Sequence, residues 1–142
     1  MIKRIKRNHT VLCTSRDYDQ VTQLAKIRKL KLIIVGKHGG SERHDKLNAS
    51  LHRTKLLSAR IKKFSPDITI SFCSPEAARV SYGLGIPHIC FSDSPHATAV
   101  MKLSLPYVDN CLSLGLSQKA ISRIWELTQK ILFSTSQLMQ HK

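Results

Sequence analysis

Carboxylates are the scarce side chains of this sequence: nine Asp or Glu stand against 23 Lys or Arg in 142 residues, for a formal net charge of +14. The imbalance is one-sided along the chain as well. Residues 1 to 63 hold 17 basic and 4 acidic side chains, residues 64 to 142 hold 6 and 5. Such a distribution points either to an anionic partner (nucleic acid, a lipid surface, an acidic substrate) or to a solvated basic face. Aromatic residues are few, at 6%, and Tyr18 and Phe64 are the main ones in the basic half. Base stacking is therefore poorly supplied, and nucleic-acid binding through that half is expected to be nonspecific and steeply salt-dependent.

Other absences remove whole classes of function. No apolar run approaches the roughly 18 residues needed to span a bilayer. No signal-peptide core follows the basic start Met1 to Arg7, so a cytoplasmic protein is expected. The cysteines Cys13, Cys73, Cys90 and Cys111 show no C-x-x-C spacing, and each lies in or beside a predicted strand. Buried thiols in a reducing compartment are expected from them, with neither disulfides nor a metal site. The dinucleotide fingerprint is missing, because Gly83-Leu84-Gly85 closes a helix where the fingerprint would open one. Neither a phosphate-binding Walker loop nor a G-x-S-x-G elbow is present. No cofactor is implied.

What the sequence does contain is alternation. A predicted strand at His9 to Thr14 leads to a helix over Asp17 to Lys29, with Asp17 and Gln20 spaced as a capping box and Val21, Leu24, Ile27 and Leu30 at helical intervals. Leu32 to Val35 is a fully apolar run of the kind found in central parallel strands. The longest helix spans Arg43 to Phe64, with Leu47, Leu51, Thr54, Leu57, Ile61 and Phe64 as its core stripe and Lys46, Arg53 and Arg60 as a basic ridge. Strands then follow at Ile68 to Phe72, His88 to Ser92 and Asn110 to Leu114. Helices start at Pro75 and Pro95, each behind a capping serine, and a last amphipathic helix from Ser117 presents Ala120, Ile121, Ile124, Leu127 and Ile131. The expected fold is α/β: one Rossmann-like domain over 1 to 142, an open parallel sheet of about five strands with helices on both faces. Residues 1 to 8 form a basic leader and 134 to 142 a polar tail.

In a parallel sheet the strand-to-helix loops converge at the carboxyl ends of the strands. That topology gathers Arg16 and Asp17; Lys37, His38, Gly39, Gly40 and Ser41; Ser74 and Glu76; and Asp93, Ser94 and His96. Cations, helix N-termini and glycine backbone suit an anion, so Arg16, Lys37, Gly39, Gly40, Ser41, Ser74 and Ser94 are candidate ligand-binding residues. His38, His96, Glu76 and Asp93 are candidates for proton transfer. Residues placed like Asp17, Ser74 and Ser94 are more often helix caps than ligand contacts.

Several strings resemble an uncharacterised archaeal and bacterial family: Thr14-Ser15-Arg16-Asp17-Tyr18-Asp19-Gln20, Val35-Gly36-Lys37-His38-Gly39-Gly40, Ser71-Phe72-Cys73-Ser74-Pro75-Glu76-Ala77-Ala78-Arg79-Val80, Gly85-Ile86-Pro87, and Asp93-Ser94-Pro95-His96-Ala97. The family is a domain of unknown function that looks like a relative of GT-B glycosyltransferases and UDP-N-acetylglucosamine 2-epimerases. The resemblance covers roughly Asn8 to Asn110. It implies two Rossmann-like halves with a ligand between them, of which this chain resembles the amino-terminal half without the family's first strand. The expectations that follow are a nucleotide-sugar or other anionic small molecule as ligand and little activity alone. Self-association or a separate carboxyl-terminal domain would complete the cleft. An alternative binding module would use Lys46, Arg53, Arg60, Lys62 and Lys63 on nucleic acid or an anionic surface, and a gene fragment without its own function is a third reading.

Overall fold

The computed structural model describes residues 2–92 and 97–113. The expected start at Pro95, the last helix from Ser117 and the tail 134 to 142 fall outside these residues. The chain divides into two compact units, Met1–Phe64 and Ser65–Lys142.

The first unit holds α1 (Ile2–Ile5), β1 (Thr14–Asp17), α2 (Asp19–Ile27), β2 (Ile33–Lys37) and α3 (Arg43–Phe64). The basic leader thus carries a one-turn helix. Strand β1 begins where the expected strand ends, and this shift changes the entry to α2. Asp17 is engaged in β1, in register with Lys37 of β2, so the capping box does not form. Tyr18 takes the N-cap position in extended conformation without a side-chain cap bond.

Strands β1 and β2 are parallel, with Thr14 opposite Ile33 and Ser15 opposite Ile34. Between Ser15 and Asp17 the register slips, so that β2 carries one residue more than β1. Gly36 lies in this bulge at φ +77. A Cβ there would meet Cβ of Arg53 at 3.0 Å; both the positive φ and the close approach of α3 require glycine.

Helix α3 buries Arg53, Leu57 and Ile61, an i, i+4, i+8 line. Leu47 and Leu51, expected in the core stripe, remain 56% and 54% exposed. Arg53 corrects the expected basic ridge: it is only 6% exposed, and its guanidinium donates to the Val35 carbonyl. An arginine stem is apolar enough to pack against a strand while its head meets a carbonyl, and the approach at Gly36 leaves room for it.

The second unit holds β3 (Thr69–Ser71), α4 (Pro75–Gly83), β4 (His88–Ser92), α5 (Thr98–Ser104), a short 3-10 turn (Leu105–Tyr107) and β5 (Asn110–Ser113). Its three strands are parallel in the order β3-β4-β5. The five expected strands therefore form separate sheets of two and three, with no β1–β3 pairing among the described residues.

Alternation along the strands separates two faces. His88, Cys90 and Ser92 are buried on one, where Cys90 joins Ala78 of α4, Met101 of α5, Leu105 and Val108 in the core. Ile70, Phe72 and Leu112 lie on the other and are 44%, 64% and 49% exposed. Right-handed crossovers that advance in one direction place their helices on one side of a sheet, which accounts for the asymmetry. Among the described residues, no helix is long and apolar enough to cross a membrane.

Candidate functional site

In the first unit the carboxyl ends of β1 and β2 lie side by side and carry Arg16, Asp17, Tyr18, Lys37 and His38. Lys37 is the last residue of β2, not part of the loop, and is exposed, as are His38, Gly40 and Ser41. The Gly40 N–H donates to Nδ1 of His38 at 3.1 Å, which places the ring's own proton on Nε2. The His38 ring stands 5.6 Å from that of Tyr18, tilted by 51°. The pair therefore offers a lysine, an imidazole N–H donor and an aromatic edge at one end of two strands.

Gly39 has a structural reason to be glycine. A Cβ at this position would lie 2.5 Å from the Asp45 carbonyl oxygen and 2.7 Å from Cα of Lys46, both backbone atoms of α3. Gly39→Ala is accordingly expected to cost about 2 kcal/mol by overpacking, read as a lowered denaturation midpoint. A cost within about 0.5 kcal/mol, the usual range for a surface change, would show that the loop is free to move away.

In the second unit the end of β3 turns into α4 through Phe72, Cys73 and Ser74. The Ser74 hydroxyl accepts from Ala77 N–H at 3.4 Å and donates to Oε2 of Glu76 at 3.1 Å. Glu76 is 2% exposed. The carboxylate at the positive end of α4 is thus the chain's own, a favourable placement for it; Glu76 is buried and Ser74 half-buried. Asp93, Ser94 and His96 lie outside the described residues.

Beneath this turn is a polar chain that sequence reading did not find. His88 is fully buried. Its Nδ1 is 2.6 Å from Oγ1 of Thr69 and its Nε2 is 2.9 Å from Oγ of Ser71. Thr69 continues to Ser81 at 2.7 Å, and Ser81 donates to the Ala77 carbonyl at 2.8 Å. One assignment of protons satisfies the line throughout: Ser71 donates to Nε2, Nδ1–H to Thr69, and Thr69 to Ser81. A serine hydroxyl held on an imidazole nitrogen is the geometry that activates oxygen nucleophiles, and here a threonine occupies the place of the usual orienting carboxylate. Burial pushes the His88 pKa below 6.5, opposed by the Asp109 charge, so the ring is neutral and can accept. Register brings the group together: Thr69 pairs with His88 and Ser71 with Cys90, which puts Thr69, Ser71 and His88 on one face.

Three thiols also converge in this unit. The Sγ atoms of Cys73, Cys90 and Cys111 all lie within 4.8 Å of one another, a grouping that their sequence spacing does not announce. All four cysteines are free; Cys90 is buried and the others are half-buried.

Comparison with known proteins places these features in a family. The model for proteins of unknown function designated DUF354 matches residues 1–129. The chain belongs to the DUF354 family. Among DUF354 relatives, the uncharacterized protein MJ0665 of Methanocaldococcus jannaschii is 34% identical over 113 residues, which is 79% of this chain and 33% of that protein. The chain thus spans about a third of the length of this relative. No solved structure matches it.

Proposed function

We propose that this DUF354 chain supplies the amino-terminal, Rossmann-like part of a GT-B-type protein and binds a nucleotide-sugar or similar anionic small molecule. The observation that carries the reading is the juxtaposition of Lys37, His38 and the exposed Gly40 backbone with the end of β1, set by the Asp17–Lys37 register. Ligands of open α/β sheets sit at the carboxyl ends of strands, and cationic and N–H donors there suit phosphate oxygens. Full turnover would require the remainder of the cleft, from a second domain or an associated chain. The apolar face with Ile70 and Phe72 supports such association.

The test is a thermal-shift and calorimetric titration with a panel of nucleotide-sugars. A true ligand at about a hundredfold excess over Kd adds about 2.7 kcal/mol of stability. The double substitution Lys37→Ala with His38→Ala is expected to weaken binding by roughly tenfold, one charge-assisted hydrogen bond's worth. Indifference to every nucleotide-sugar removes the reading. Binding of single-stranded nucleic acid at low salt, lost at moderate salt, would favour the basic face instead, with Lys46, Arg60, Lys62 and Lys63, all exposed, as its contacts and Arg53 withdrawn from the set.

A further inference from the structure

The three converging thiols come from three separate elements: Cys73 from the turn after β3, Cys90 from the middle of β4 and Cys111 from β5. Cys90 and Cys111 are register partners on adjacent strands and so project from the same face. Cys73 joins them because the backbone at that residue adopts φ +40, a left-handed conformation that non-glycine residues seldom take and that tends to occur at functional sites. The Ser104 hydroxyl donates to the Cys73 carbonyl at 3.3 Å and holds the turn over the strands. A fourth sulfur is at hand, for Sδ of Met101 lies 3.7 Å from Sγ of Cys73.

Packing alone does not require this arrangement. Apolar side chains could fill the core equally well, and what thiols add is soft donor atoms. A disulfide uses only two of the three. Cys73 and Cys90 have their sulfurs 2.8 Å apart, beyond the roughly 2.05 Å of a bond, and a bridge between them would leave Cys111 without a purpose.

We propose that Cys73, Cys90 and Cys111 bind a single thiophilic d10 cation, Zn2+ or Cu+, with the Met101 sulfur or a water at the fourth position. Bonds of about 2.3 Å in tetrahedral array separate sulfurs by about 3.8 Å. The closest pair, at 2.8 Å, must open by about 1 Å, and the others, all within 4.8 Å, need close by no more than about 1 Å; Cys73, at the turn, is placed to move. Three thiolates with no carboxylate or carbonyl among the donors select soft ions over Mg2+ or Ca2+. Uptake replaces three S–H bonds by three metal–sulfur bonds and releases three protons, with no change of oxidation state. The thiols belong to the second unit and Lys37 and His38 to the first, and either proposal can fail without the other.

The experiment is metal titration of the reduced, metal-free full chain, with Cd2+ as the spectroscopic probe and Zn2+ and Cu+ as competitors under a reducing atmosphere. The expected results are a thiolate-to-metal charge-transfer band saturating at one equivalent, and protection of three of the four thiols from a thiol reagent. Cys73→Ser and Cys111→Ser should each weaken binding by about 100-fold or more, beyond what outer-shell changes produce. Cys13→Ser should leave both band and stoichiometry unchanged. Relative displacement by Zn2+ and Cu+ identifies the ion. Absence of the band, protection of two thiols or fewer, or retention of binding in Cys111→Ser would overturn the site. The protection assay on the unsubstituted chain decides the matter even if the variants fold poorly.

Discussion

Replacing His88 with leucine is expected to destabilise the protein by about 3 kcal/mol, because it strips hydrogen-bond partners from two part-buried hydroxyls at once. Thr69 would keep Ser81 at 2.7 Å and the Pro87 carbonyl at 3.2 Å, and Ser71 the Ser74 N–H at 3.2 Å, which sets the loss below that of two fully orphaned groups. His88→Gln retains a donor and an acceptor and should recover part of it. The same residue gives a pH signature. Its folded pKa lies below the unfolded value of 6.5, so below that pH the unfolded chain takes up a proton that the native chain refuses. Stability attributable to His88 is therefore full above 6.5 and falls as the pH drops beneath it, by at most about 1.4 kcal/mol per unit. Denaturant midpoints of the wild type and His88→Gln across this window separate His88 from the other histidines, whose contributions are shared. Equal slopes for the two proteins would mean that the imidazole is not held neutral in the core.

Arg53→Ala should cost about 3 kcal/mol. The truncation opens a void between α3 and β2, and it leaves the Val35 carbonyl, in a strand whose Val35 side chain is 2% exposed, without its guanidinium donor. Arg53→Met restores the stem and removes a charge that burial disfavours, and should regain about half of the loss. Denaturation followed by circular dichroism measures both. Neighbouring cations serve as the control: Arg60→Ala and Lys63→Ala, on the exposed surface, should shift stability by no more than about 0.5 kcal/mol. If Arg53→Ala behaves like them, and instead weakens binding to nucleic acid, Arg53 belongs to the surface ridge.

These two residues also show what was legible in the sequence. Helix and strand order could be read because it rests on local signals: the β-branched run ending at Val35, the Ser74-Pro75 start of α4, and the three- and four-residue spacing of α3. Partnering could not be read, since it depends on which face turns inward. A heptad of Lys46, Arg53 and Arg60 looks like one ridge, yet at Arg53 glycine at position 36 lets the helix press close to β2. His88 offered no local motif, because its partners Thr69 and Ser71 lie 19 and 17 residues away. The split into two sheets was likewise invisible, as strand propensity does not specify neighbours. Of the candidate site, Lys37 at the end of β2 and the loop residues His38 and Gly40 can be singled out through topology alone. The burial of Glu76 is not legible because its position beside a cap says nothing of burial, and the thiol cluster is not legible because Cys73 enters it through an unusual backbone angle.

The strand registers have a kinetic consequence. Thr14 pairs with Ile33, Thr69 with His88 and Ile89 with Asn110, so every described pairing joins residues only 19 to 21 positions apart. Closing such short segments costs nearly the same entropy in each case, since that cost grows slowly with length, and none waits on a distant part of the chain. Each strand can acquire its partner soon after that partner is synthesised, so the nascent chain is able to acquire its sheets piecewise during translation.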